Sequence, residues 1–447
     1  MGPWPPLVKG GGSMNSLCLT RGPLYSYGVI PSKNRSFFIV VAGARSRHRS
    51  KGPTSGLRKA GFAAVLALSA TAGWPQSSKV VTQNQRSRLK TASGTQQNGQ
   101  ATAKQPEHEG VTRTYFIAAD EVDWDYTPQG RNLAGIPHPE AGENESASGI
   151  NHRVYHKAIY REYTDATFKT LKVRPQQWSH LGILGPLIRA EVGDSIRVVF
   201  RNNTHLTVTM HPHGVQYTKD SEGATYNDGT SGTVKADDAV HRGDTYTYLW
   251  TVPERSGPGP MDGSSVLWMY HSHFVESTDI NTGLIGPIIV TRKGSAKPDG
   301  SPKDVDREFI TDFAVFDETD SWFFEGNLGK QARIARMKTT DPLLRDQNLL
   351  YSLNGYIEGN LPMLTMRKGE RVRWYLLSNS NEDDVHMAHW HGNTVTWNNM
   401  RMDTLFLGPM AMATADMIPD SEGIWLFHCH VNDHYAGGMV ARYQVLP

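Results

Sequence analysis

Cysteine is nearly absent: the 447 residues contain two, Cys18 and Cys429. A mature chain starting beyond residue 18 would hold one thiol, which excludes an internal disulfide framework. Acidic residues are missing from residues 1–106, where fifteen Lys or Arg stand alone. The other 31 basic residues face 44 acidic ones, so the body of the chain carries a net −13. That balance argues against nucleic acid and for metal ions or cationic substrates. Sustained helical periodicity is scarce, which excludes a helical bundle. The apolar run "AGFAAVLALSATAG" (Ala60–Gly73) is too short to span a bilayer comfortably, and no transmembrane anchor is expected.

That run comes after the basic stretch "RSRHRSKGPTSGLRK" (Arg45–Lys59) and ends in Ala70-Thr71-Ala72. The order basic, apolar, Ala-x-Ala predicts an export signal and a periplasmic or extracellular protein. Its depth in the chain means either that the true start lies downstream or that residues 1–59 add an organelle-targeting segment; a disordered basic tail is the plain alternative. Residues 74–106, rich in Gln, Ser, Thr and Lys, read as a flexible tether, so 1–107 form leader, signal and tether. Asn144 and Asn202 are possible glycosylation acceptors if the host glycosylates exported proteins.

The region beyond the tether repeats itself. "TRTYFIAADEVDWDY" (from Thr112) resembles "REFITDFAVFDETDSWFF" (from Arg307), and "VGDSIRVVFRN" (from Val192) resembles "KGERVRWYLLSN" (from Lys368). "HPHG" at His211 answers "HWHG" at His389, and "WMYHSH" at Trp268 answers "WLFHCH" at Trp425. The segments are short, β-branched or aromatic, and bounded by Gly, Pro, Asn and Asp. They predict an all-β protein of two tandem Greek-key β-sandwich domains, 108–292 and 307–447, joined by a polar linker, 293–306.

Residues two apart on a strand share a face. His211 and His213, His271 and His273, His389 and His391, and His428 and His430 are therefore four same-face pairs able to gather metal ions. Imidazole by itself suits copper, zinc, iron or nickel. Cys429 narrows the choice. Lying between His428 and His430, it projects to the other side of its strand, as does His386 three residues before His389. His434 and Met439 come next, within a loop long enough to fold back. Two His, one thiolate and a weak axial Met form the ligand set of a blue-copper electron-transfer site. The first repeat has Ser272 and Val208 in place of Cys429 and His386, so one such site is expected, in the second domain.

These motifs resemble the multicopper oxidases. "HLGILGPLIRAEVGDSIRVVFRN", "YHSHFVESTDINTGLIGPIIVTRKG" and "GIWLFHCHVNDH" carry a likeness to the ceruloplasmin-like branch across Thr112–Pro447. The resemblance implies cupredoxin-like domains and about four copper ions per chain. His386, Cys429, His434 and Met439 would hold the type 1 copper, and His211 and His389 the type 2 copper. His213, His271, His273, His391, His428 and His430 would hold the type 3 pair. The implied reaction takes electrons singly from a reductant and reduces O2 to water. Because the cluster ligands divide equally between the domains, relatives of this type assemble the cluster between subunits, which implies a homotrimer.

Glu222 is the candidate proton donor, with Asp220 and Asp228 as competitors and Tyr217 as a redox-active neighbour. Asp384, in "NEDDVH" with Glu382 and Asp383, and Asp433 flank the type 1 histidines, where the resemblance to ferroxidases of this branch implies carboxylates that bind Fe2+, a hard cation that prefers oxygen. A laccase oxidising phenols is an alternative. So is a cuprous oxidase using Met400, Met402, Met410, Met412 and Met417, although methionines at this spacing are also ordinary strand packing. A copper nitrite reductase or a non-enzymatic cupredoxin protein would have no use for the full set of four His pairs.

Overall fold

The computed structural model describes residues 110–136, 153–330, 342–379 and 384–447. The leader, the tether, Asn144, Glu382 and Asp383 lie outside these residues. The first repeat contributes β1 (Thr112–Asp125), β2 (Val154–Tyr163), β3 (Ile188–Glu191), β4 (Ser195–Asn202), β5 (His211–Pro212), β6 (Thr245–Thr251), β7 (Ser265–His271) and β8 (Ile285–Thr291). The second contributes β9 (Arg307–Asp317), β10 (Leu349–Leu353), β11 (Leu364–Arg367), β12 (Val372–Asn379), β13 (His386–Trp390) and β14 (Val395–Trp397). It continues with β15 (Met400–Met402), β16 (Thr404–Leu407), β17 (Met412–Met417), β18 (Gly423–Cys429) and β19 (Val440–Leu446).

The sheets reproduce the sequence repeat. One sheet runs β2-β1-β4-β6 in the first copy and β10-β9-β12-β17, extended by β14 and β15, in the second. The facing sheet runs β3-β8-β7-β5 and β11-β19-β18-β13, extended by β16. In the first of these sheets each copy sets one parallel pair among antiparallel ones: β1 with β4, and β9 with β12. The protein is all-β, a tandem of cupredoxin-like sandwiches.

Strand patterns reflect what each face meets. β17 alternates half-buried and buried residues, as one-sided burial demands. β12 is buried throughout. Its Trp374 and Leu376 enter the core of the second sandwich, while Tyr375 and Leu377 enter a different core between the sandwiches. There they meet Leu267, Met269, Ile285 and Ile289 of β7 and β8. The same junction carries polar cross-links. Asn354 Nδ2 donates to the carbonyls of His180 (2.5 Å) and Ile310 (2.8 Å), and its Oδ1 accepts Asp312 N–H at 2.5 Å. His180 Nε2 accepts the Ile310 amide at 3.2 Å. Burial drives the His180 pKa down to about 4, which keeps the ring neutral and able to accept.

Candidate metal centres

β13 and β18 pair with Ala388 opposite Cys429 and His389 opposite His428. That register decides which side chains look inward. His386 and Cys429 point into the second sandwich and are fully buried. After Cys429 the chain turns through a short helix, Asn432–Ala436, which carries His434. It then returns so that Cys429 N–H donates to Met439 C=O at 3.1 Å. Met439 is buried beside the thiol's own strand. Two glycines permit the return. Gly438 has φ +97°, and a Cβ on Gly437 would lie 2.2 Å from the Tyr351 ring.

The donor atoms converge. Cys429 Sγ lies 3.7 Å from His386 Nδ1 and 3.6 Å from His434 Nδ1, and the two Nδ1 atoms are 3.0 Å apart. For metal bonds of about 2.0 Å to nitrogen and about 2.3 Å to sulfur, these separations correspond to angles of about 97° between nitrogens and about 116° from sulfur to nitrogen. The three atoms are close enough together to share one ion. Burial pushes the His386 pKa down to about 3, lowers that of His434 and raises that of the Cys429 thiol. Both imidazoles are thus held in the neutral form that ligates, and a metal would displace the thiol proton.

The paired histidines gather into two quartets, one in each repeat, the second lying across the strand from the Cys429 side chain. His211, His213, His271 and His273 touch one another with ring centroids 5.1–5.5 Å apart. His389, His391, His428 and His430 do so at 4.8–5.6 Å. The register matches between copies, with His211 opposite His271 as His389 is opposite His428.

Each quartet is pre-set for ligation by the same backbone bonds. His211 Nδ1–H donates to Glu222 C=O (2.7 Å) and His389 Nδ1–H to Asp403 C=O (2.9 Å). His271 and His428 each donate to the next residue's carbonyl, at 3.0 and 2.8 Å. A proton fixed on Nδ1 leaves Nε2 as a bare lone pair. His213 Nε2 and His271 Nε2 then face each other at 3.0 Å, and His391 Nε2 and His428 Nε2 at 3.1 Å. In each pair the two nitrogens lie close enough to be ligands of one ion. Burial reinforces this by holding the pKa of His213 and that of His428 at about 4.

Two family models described as multicopper oxidase match residues 163–295 and 333–447, together more than half of the chain. The chain belongs to the multicopper oxidase family. Ferroxidase HEPHL1 of Homo sapiens is 40% identical over 344 residues, covering 75% of this chain and 29% of that protein. Ceruloplasmin of Homo sapiens is 40% identical over 351 residues, covering 74% of this chain and 32% of that protein. The chain therefore falls in the ceruloplasmin-like branch and spans about a third of the length of these relatives.

Each quartet opens to solvent on one side, while His271 and His428 are buried. His211 and His213 line a cavity of about 340 Å³, and His389 and His391 line another of about 390 Å³. Among the described residues no ring contact joins one quartet to the other. The candidate proton donors sit by the first quartet. Glu222 holds its carboxylate against Lys219 Nζ (2.5 Å) and Tyr226 OH (3.0 Å), while its carbonyl holds His211. Asp220 accepts from Thr218, and Asp228 pairs with Lys235 at 3.0 Å. Tyr217 lies 5.7 Å from the His211 ring.

At the inner site, Asp384 Oδ1 is 3.7 Å from His434 Nε2. Asp433 precedes His434 on the exposed face of its helix. Asp384 lines a cavity of about 450 Å³ together with Asp317, Asp320, Arg345 and Tyr351. The Tyr351 ring lies against His434 at 5.2 Å. The methionines scatter. Met417 is core, Met402 packs against that core, Met410 and Met412 pack at the junction, and Met400 is exposed.

The supports of the quartets were not among the residues expected from sequence. Gly214 and Gly392, the final residues of the two H-x-H-G motifs, have φ of +75° and +73°. A Cβ there would lie 2.0 Å from Trp268 and 2.6 Å from Trp425. Each indole N–H is anchored to a carbonyl, of Ser256 at 2.7 Å and Ser421 at 3.0 Å. The signal was present, because glycine and tryptophan recur in both motif pairs. Tyr351 offered no such signal.

Proposed function

We propose that the protein is a four-copper oxidase that couples one-electron oxidations of Fe2+ to reduction of O2 to water. The observation that carries this reading is the buried His386–Cys429–His434 triad, whose Cys429 stands directly between His428 and His430 of the second quartet. Copper bound at these sites would supply single-electron transfer at the inner site and oxygen reduction at the cluster. His386, Cys429, His434 and Met439 would hold the type 1 ion, His211 and His389 the type 2 ion. The other six histidines would hold the type 3 pair. Cys429 provides the link, since its backbone joins directly to His428 and His430.

Domains 108–292 and 307–447 would each supply half of the cluster. The equal division of the eight histidines between the two repeats supports assembly across neighbouring subunits, in a homotrimer. Asp384 and Asp433 would receive Fe2+ beside His434, and the carboxylate-lined cavity supports a hard cation over a bulky phenol. The relatives' names, ferroxidase among them, support the same reductant. The scattered methionines favour packing over a Cu+ relay. Glu222 would serve as proton donor once released from Lys219. The leader is consistent with export.

The test is steady-state O2 uptake with Fe2+, Cu+ and a bulky phenol side by side. Fe2+ should be preferred, and Asp384→Ala and Asp433→Ala should each raise KM for Fe2+ about tenfold, a loss of about 1.4 kcal/mol of binding. Unchanged Fe2+ kinetics in both variants would remove the ferroxidase assignment and leave the oxidase.

A further inference from the structure

The first repeat lacks the thiol, yet its inward position is not empty of chemistry. Ser272 stands between His271 and His273 and is fully buried, as is Asp279 on the helix Glu276–Thr282. Ser272 Oγ donates to Asp279 Oδ2 at 2.6 Å. The same carboxylate oxygen accepts the amides of Phe274 (3.1 Å) and Val275 (3.0 Å), the two residues after His273. Asp279 Oδ1 accepts the indole N–H of Trp322, from the second repeat, at 2.8 Å. An ionised carboxylate only accepts, and all four of these groups donate, three to Oδ2 and one to Oδ1.

The network runs on to the segments that carry the four histidines. Ser272 Oγ accepts the Thr209 amide at 3.0 Å, two residues before His211. Thr209 Oγ1 accepts the His273 amide at 3.0 Å and donates to Gly223 C=O at 2.6 Å. One carboxylate thereby ties together the strand bearing His271 and His273, the segment leading to His211 and His213, and the loop behind them. In the second repeat Cys429, His386 and His434 join the corresponding segments through their converging donor atoms.

We infer that Asp279 is the positioning residue of the first quartet, cross-linking through hydrogen bonds what the second repeat cross-links through its inner metal site. The inference rests on the copper-cluster reading. It also makes the first quartet's geometry independent of inner-site metal, and it ties that geometry to the second repeat through Trp322.

Full-length holoprotein variants test it. Asp279→Ala should weaken the hold on cluster copper ten- to a hundredfold in a chelator titration, the usual cost of losing an outer support. Its cluster paramagnetic resonance signal should change while the blue absorption of the inner site stays. Asp279→Asn turns an amide N–H toward the indole N–H of Trp322 and should fail similarly. Removing that clash in Asp279→Asn/Trp322→Phe should restore most of the copper retention, which a general loss of stability would not do. Should Asp279→Ala prove unstable, the comparison of the last two variants decides. Wild-type copper retention and resonance in Asp279→Asn, or no rescue in the double variant, overturns the inference. Wild-type protein that binds no copper at this quartet, with His271→Ala identical to it, overturns the cluster reading as well.

Discussion

Single residues set the electrical state of the protein. Cys429 is the clearest case, because its neighbours on the strand serve a different site from its own side chain. Cys429→Ser should abolish the blue absorption and reductant-driven O2 uptake while cluster copper remains, as metal analysis and paramagnetic resonance would read. Asp312 is a second case. It is fully buried on β9, and burial, only partly offset by Asn379, raises its pKa from 3.8 to about 7. The folded state therefore holds a proton that the unfolded chain releases near pH 4. Stability should fall as pH rises from about 4 to about 7, by up to roughly 4 kcal/mol, and level off above. Asp312→Asn should flatten that slope and be the more stable protein at pH 8, which denaturation midpoints across pH would check.

Elements fix the quartets through a device used twice. In each copy an H-x-H-G turn lays its glycine on the face of a tryptophan from the strand that carries the other histidine pair. Gly214→Ala and Gly392→Ala should each cost roughly 2–4 kcal/mol, from the left-handed backbone and from the overlap with Trp268 or Trp425. Copper analysis should show cluster metal lost while blue absorption is largely kept. The motif pairs and their duplication were legible because strand geometry has a period of two, so spacing alone assigns faces. The return loop of Cys429, His434 and Met439 was legible as a ligand set, and its path depends on Gly437, Gly438 and the Tyr351 ring. Asp279 was not legible. It lies seven residues beyond Ser272, in a helix whose cap and packing bring it back, and nothing in local spacing encodes that return.

At the scale of the whole molecule, two sandwiches share a junction that is apolar in the middle and cross-linked by Asn354. That residue holds a positive φ of 53° and satisfies two carbonyls and one amide at once. Asn354→Ala would leave these buried groups unpaired and should destabilise the protein by at least about 3 kcal/mol, seen as a lowered denaturation midpoint. The equal division of the eight histidines between the two repeats leads to a prediction about assembly. Light scattering of active holoprotein should give three times the chain mass, and a fully copper-loaded, active monomer would contradict the subunit-shared cluster.

The sequence determined the chemistry: one thiol between two histidines, eight imidazoles in same-face pairs, and a duplication that makes each motif interpretable by its counterpart. These are local regularities, and strand periodicity reads them directly. Tertiary structure alone decided which carbonyl fixes each imidazole's proton, which ring blocks each glycine, and where each carboxylate looks. Those relations join residues far apart in the chain, and only the packing of sheets against one another brings them within bonding distance.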